Sequence, residues 1–289
     1  MLTLVNWFLA VLYGLLMIYK SYLPSPSLSE FVRNYTVMHF QFNSNAPVPS
    51  KQRSPKPEQK IVFYIKGTVN RYDTVTGSLQ TPPPVAIFSH QKEKRVFQLT
   101  SELSAVIIFL QPGVLHRLIK LPMGELVQEF CDAELFFGTA VREVSEQLAE
   151  ARSYLAMIAI VEQFMYTQCK RLETKNAIDS MAIRLLADPT VFSLDNIAQQ
   201  ACLSSKQFYR RFIEQIGITP KLFSRLSRFN HAYRFKLAHP DSSWSSIAQE
   251  FRYTDYHHLE KEFKEFAGFS PQEWVKTHLT APERILQLR

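Results

Sequence analysis

Four short runs of β-branched and aromatic residues, KIVFYIKG at 60–67, PVAIFSHQ at 84–91, KRVFQLT at 94–100 and SAVIIFLQPG at 104–113, are separated by turn-forming residues. Runs of that length and composition predict strands, and together they predict a small β-rich domain. The stretch before them, residues 20–60, is polar and carries Pro24, Pro26, Pro47, Pro49, Pro55 and Pro57, which break any long helix. Irregular chain is expected there, with a loop from Ser44 to Gln59. Behind the strands, 114–120 and 123–130 read as short helices on either side of Pro122.

From Thr139 to Leu172 the period changes to that of a helix. Val141, Val144, Leu148, Ala151, Leu155, Ile158, Met165, Cys169 and Leu172 fall on one stripe that only Glu162 interrupts. A stripe says which side is covered and not by what, so packing on its own domain and pairing in a dimer both fit. ETKNAIDS at 173–180 is polar and reads as a boundary, beyond which helical periodicity runs to the end. The chain therefore divides into a hydrophobic segment 1–19, a β-rich domain 20–138, a helical linker or dimer helix 139–175, an all-α domain 176–277 and a tail 278–289.

The all-α part repeats itself. Ile197-Ala198-Gln199 recurs as Ile247-Ala248-Gln249, Phe208 and Phe212 recur as Leu259 and Phe263, and Gly217-Ile218-Thr219-Pro220 recurs as Gly268-Phe269-Ser270-Pro271, with one extra residue in the second turn. Each copy reads as a short helix, a tight turn, a second helix opened by a capping residue, and a glycine stop. Ser204 is the expected N-cap in the first, Thr254 or Asp255 in the second.

At 100° per residue, Phe208 and Phe212 share one side of the second helix and place Lys206 and Arg210 nearly opposite. The same arithmetic puts Leu259 and Phe263 inward and His257, Lys261 and Lys264 outward, with Glu260, Glu262 and Glu265 diluting that basic face. Gln207 and His258 flank the two faces. A helix about 10–12 Å across fits a major groove of about 12 Å, where Arg or Lys donates to guanine and Gln pairs with adenine. Tyr209 and Arg211, with the helix N-termini, are placed for phosphates. Two such units on a stiff connector can meet successive major grooves about 34 Å apart on double-stranded DNA.

Charge and composition alter this picture little. A net charge of +7 suits an anionic partner and also many proteins that are merely soluble. Cys131, Cys169 and Cys202 have neither a CxxC pair nor metal-ligand spacing, which fits a reducing, cytoplasmic setting. No GxSxG, HExxH, P-loop or GxGxxG arrangement occurs, so no enzyme activity, metal or cofactor is expected. Residues 1–19 contain no charge and nearly reach bilayer length, with no basic start or cleavage site of a signal peptide. A membrane anchor, a packed helix, and an upstream extension with the true start at Met17 all fit them.

The span 176–277 resembles the DNA-binding domain of the AraC/XylS family, in IAQQACLSSKQFYRRFIEQIGITPKLF, the connector RFNHAYRFKLAH, and WSSIAQEFRYTDYHHLEKEFKEFAGFSPQEW. The resemblance implies an α+β chain: a β-rich, cupin-like N-terminal domain, then seven helices forming two helix-turn-helix subdomains joined by a linker helix at about 220–238. It places Ser204, Ser205, Lys206, Gln207, Tyr209, Arg210 and Arg211 at one groove, and Thr254, Tyr256, His257, His258, Lys261 and Lys264 at the next. It also implies RNA polymerase as a partner, and either a homodimer or a small-molecule effector for the N-terminal domain. YLPSPSLSEFVRNY at 22–35 and FLQPGVLHRLIKLPMGELVQEF at 109–130 look like the uncharacterised sensor-like domain that precedes this DNA-binding domain in many family members, where His90 and His116 stand isolated and no metal motif occurs. The turns of this family usually carry a small residue where this chain has Cys202 and Arg252; if those positions need positive φ, the second unit in particular is expected to dock less tightly.

Overall fold

The computed structural model describes residues 16–42, 50–72, 77–91, 93–126, 130–170 and 172–279. Most of the uncharged leader, residues 1–15, and the tail from 280 lie outside the described residues. Two antiparallel sheets form the N-terminal part. In the larger, β1 (Leu16–Tyr22), β2 (Val32–Gln41), β9 (Glu102–Leu110), β4 (Lys60–Lys66), β7 (Val85–Phe88) and β10 (Phe130–Asp132) lie side by side in that order. The smaller runs β3 (Ser50–Arg53), β8 (Arg95–Leu99), β5 (Val69–Tyr72) and β6 (Leu79–Gln80).

Period-two alternation decides what each face covers. Along β9, Val106, Ile108 and Leu110 join one core while Leu103, Ala105, Ile107 and Phe109 join another. The first core is roofed by α1 (Val114–Ile119), α2 (Glu134–Phe137), α3 (Ala140–Glu150) and α4 (Tyr154–Cys169); Phe63 of β4 meets Phe164 of α4 edge-on at 5.7 Å. The second core lies on the opposite face of the larger sheet and takes in Val69, Phe97 and Leu99 of the smaller.

Several local expectations need correction. Residues 20–60 are not irregular throughout, because they contain β2, paired with β9 along its length and with β1 over Tyr35–Gln41. Its polar Arg33, Asn34 and His39 hid the strand, which is recognisable only once its partners are in place. The described residues of 123–130 are a 3₁₀ turn at Met123–Glu125 and the start of β10 at Phe130, where a helix was expected. The end of the uncharged leader is strand: Leu16 to Tyr22 pair with Gln41 to Tyr35, so the sheet begins before residue 20. Among the described residues no helix is long and apolar enough to cross a membrane.

The stripe over 139–172 is two helices, broken at Ala151–Ser153, where Ser153 caps α4 by accepting from the Ala156 amide at 3.1 Å. Val141, Val144, Leu148, Ile158, Met165 and Cys169 all sink into the N-terminal core, and of the stripe only Leu155 stands out, 68% exposed. Its cover is its own domain.

Past the boundary come α5 (Ala177–Ala187), α6 (Leu194–Gln200), α7 (Ser205–Ile216), α8 (Pro220–Ala238), α9 (Trp244–Glu250), α10 (Tyr256–Ala267) and α11 (Pro271–Leu279). The polar run 173–180 supplies the cap of α5: Asn176 accepts from the Ile178 and Asp179 amides, and Asp179 accepts from the Asn176 amide. α5–α7 and α9–α11 flank α8, and one continuous core joins them through Phe208, Phe212, Phe223, Leu226, Phe229 and Phe263. Burying such a side chain contributes about 2–3 kcal/mol. Nineteen residues at 1.5 Å per residue make α8 about 28 Å long, of the order of one duplex pitch.

Candidate nucleic-acid interface

In each unit a helix opens on a side-chain cap and closes on a left-handed glycine. Ser204 and Gln207 form a reciprocal box: the Ser204 hydroxyl accepts from the Gln207 amide at 3.3 Å, and the Gln207 side-chain oxygen accepts from the Ser204 amide at 3.1 Å. The side-chain oxygen of Gln207, expected to flank the reading face, is thus committed to starting α7. Ser205 donates to Asp195 of α6 at 2.5 Å and ties the two helices across their turn. In the second unit the cap is Asp255, which accepts from the His258 amide at 2.8 Å, while the Thr254 hydroxyl lies 3.4 Å from the His258 ring.

Cys202 and Arg252, at equivalent positions of the two turns, both adopt left-handed backbone, with φ of 54° and 52°. Side-chain-bearing residues pay about 1–2 kcal/mol for that conformation, so the condition set by the sequence is met in both units.

Phe208 and Phe212 are fully buried, and Lys206, Tyr209, Arg210 and Arg211 are exposed together on α7. Among the described residues none of these three cations has an acidic partner within ion-pair distance. The α10 face is different. Leu259 and Phe263 point inward and His257, Lys261 and Lys264 outward, but Lys264 pairs with Glu260 at 3.1 Å and the His257 ring lies 3.9 Å from the same carboxylate. Lys261 alone of these is without such a partner among the described residues. Tyr256 and His258 are half-buried, and His258 packs edge-on against Tyr253.

Glu262 corrects the sequence reading outright. It does not dilute the outward face: it is 1% exposed and accepts from Arg225 at 2.9 Å and Arg228 at 2.8 Å, both on α8. Arg225 also pairs with Glu265 at 2.6 Å, and Arg228 lies 4.3 Å over the Tyr253 ring. These charges fasten α10 to the connector. No one-dimensional pattern announces them, since the partners are 34 and 37 residues away.

A second feature lies between the larger sheet and α8. A cavity of about 260 Å³ is walled by Val62, Ile107 and Phe109 on one side and reaches Phe229, Asn230 and Tyr233 on the other. The Lys60 ammonium lies 5.2 Å over Phe88 and 5.8 Å over Phe109. Burial pushes its pKa down to about 8, partly offset by Glu58. Glu58 is paired with Arg33 at 3.1 Å; burial opposes its ionisation, but Lys56, Arg33 and Lys60 together hold its carboxyl below the ordinary value.

ToxT from Vibrio cholerae O395 is a structural neighbour at 10% identity and a TM-score of 0.46, over 88% of this chain and 100% of that one. The AraC-like transcriptional activator CuxR aligns at 10% identity and 0.28, over 80% and 90%. No curated protein sequence matches. Residues 20–132 match a domain family of unknown function, DUF6597, and residues 197–277 match the helix-turn-helix domain family, covering most of α6 through α11. Residues 197–277 are therefore a helix-turn-helix domain, and the chain is a DNA-binding transcription regulator.

Proposed function

We propose that α7 and α10 enter two successive major grooves on one face of the duplex, with α8 setting their spacing. One observation carries this reading: two helices with duplicated caps and duplicated glycine stops expose basic residues from opposite ends of a 19-residue connector. In it, Arg210 and Lys206 reach base edges, Tyr209, Arg211 and the first helical amides, those of Ser205 and Tyr256, hold phosphates, and Lys261 is the main cation of the second groove. With three cations lacking an acidic partner among the described residues against one, α7 contributes more of the binding than α10.

The N-terminal domain supplies the control. A cavity lined by Arg53, Lys56 and Lys60, with Glu58 beside them, and by Val62, Phe88, Ile107 and Phe109 favours a small-molecule effector with an anionic head and an apolar body. A homodimer and contact with RNA polymerase belong to the same reading by family resemblance.

Selection of bound fragments from random DNA by the purified full chain tests it and defines the site. On that site Arg210→Ala weakens binding by about 1–3 kcal/mol and relaxes preference at one base position, and Lys261→Ala does less. A footprint and affinity unchanged by Arg210→Ala refute the assignment of α7; loss with Lys261→Ala alone reverses the order of the two units.

A further inference from the structure

The two glycine stops, equivalent in the repeat, are both seated on the N-terminal domain. Gln59 donates to the Ile216 carbonyl, the last of α7, at 3.4 Å, and Gln52 donates to the Ala267 carbonyl, the last of α10, at 2.5 Å. At Gly217 an added Cβ would stand 2.9 Å from the Met123 Cβ, and at Gly268 2.8 Å from the Gln52 side-chain nitrogen and 2.9 Å from the Lys94 ammonium. Each recognition helix therefore ends against N-terminal residues at the same place in its motif. The two glutamines lie seven positions apart, Gln52 in β3 and Gln59 just before β4, on the two ends of a strap that runs from one strand into the other.

The strap is stiff. Pro55 and Pro57 within it are buried, and proline fixes φ. Gln59 is 2% exposed. The same strap walls the cavity through Gln52, Arg53, Pro55 and Glu58, opposite Phe229 of α8.

We propose that the segment Gln52–Lys60 is a brace that sets the phase between the two recognition helices, in parallel with α8, and so sets which half-site spacing this regulator accepts. The proposal rests on the two-groove reading. α8 and the core it shares with both units already hold them together; the strap adds a second tie, at the C-terminal ends of both recognition helices. Whatever fills the cavity leans on the strap and is felt at both helices at once.

Full-length Gln52→Ala, Gln59→Met and the double variant test it, on the selected site and on sites with one or two base pairs added or removed between halves. The tenfold loss expected for the double variant is about 1.4 kcal/mol, or about 0.7 kcal/mol for each of the two hydrogen bonds. The double variant is expected to bind the best site about tenfold more weakly and to lose most of the penalty for altered spacing, while binding of an isolated half-site stays within about twofold. Amide hydrogen exchange of the free proteins gives a readout independent of DNA: the last turns of α7 and α10 exchange faster in the double variant, and only that of α10 in Gln52→Ala. Gln52 is half-buried, so its variant keeps the test available should Gln59→Met misfold. An unchanged spacing profile together with unchanged exchange overturns the brace. If the wild-type chain retains no DNA, the two-groove reading fails by itself and exchange still decides whether the strap holds both helices.

Discussion

Replacing Glu262 tests whether buried charge, more than the basic face, positions the second recognition helix. The carboxylate is 2% exposed and takes two guanidinium hydrogen bonds, from Arg225 and Arg228, whose side chains are 28% and 18% exposed. A hydrogen bond to a charged group contributes about 1.5–3 kcal/mol, and breaking a buried pair by removing one partner costs about 3–5 kcal/mol. Glu262→Gln keeps the shape and one acceptor, and the partly exposed guanidiniums recover some hydration, so the expected loss is about 2 kcal/mol; Glu262→Ala loses about 3–4 kcal/mol. For a domain of about 100 residues, 2 kcal/mol lowers the midpoint of thermal unfolding by about 10 °C. Tryptophan emission reads this locally, because Trp244 lies 4.9 Å and Trp274 6.2 Å from Phe263, the residue next to Glu262. Trp7→Phe removes the third tryptophan from the signal. Within that background, a Glu262→Gln transition shifted by less than about 2 °C, with DNA affinity intact, refutes the fastening role.

Cys202→Gly and Arg252→Gly each relieve a left-handed side-chain-bearing residue and are expected to raise stability by about 1 kcal/mol after the entropy cost of glycine, measured by urea unfolding; destabilisation by either refutes the strain. Lys60 makes stability depend on pH. Between its folded value of about 8 and the ordinary 10.5, the unfolded chain keeps a proton that the folded chain has released, so stability rises with pH across that window and the penalty is full below it. Lys60→Met is expected to flatten that rise in urea midpoints, and a slope equal to wild type counts against the desolvation of this half-buried ammonium. Of the three thiols, Cys202 is exposed, while burial pushes Cys131 up to about 11 and Cys169 up to about 12. A disulfide reagent at pH 8 should therefore label one thiol of the native chain quickly, and rapid labelling of all three contradicts the packing of β10 and α4.

The duplicated motif was legible in the sequence because capping and helix termination are local. Ser204, Gly217 and Gly268 act within one turn of their own helix, and Phe208, Phe212, Leu259 and Phe263 announce their buried side by spacing alone. The strands over 60–67 and 104–113 were legible for the same reason, while the connector at about 220–238 was expected from the family resemblance. The turn residues Cys202 and Arg252 were recognisable as places where positive φ would be costly, although their φ had to be seen.

What the chain order conceals is every partnership across many residues. β2 is a strand because β1 and β9 complete its hydrogen bonds, and its polar side chains gave no local sign of that. The stripe over 139–172 marked a buried side, while only the tertiary structure decided that the larger sheet covers it. Glu262 looked like surface charge until α8 brought Arg225 and Arg228 beneath it. Gln52 and Gln59 lay in a stretch read as loop, and nothing about a glutamine predicts a carbonyl 157 or 215 residues away. Periodicity and capping depend on neighbours within about four residues and can be read in one dimension; ion pairs, sheet order and contacts between domains depend on which distant surfaces meet, which only the folded chain determines.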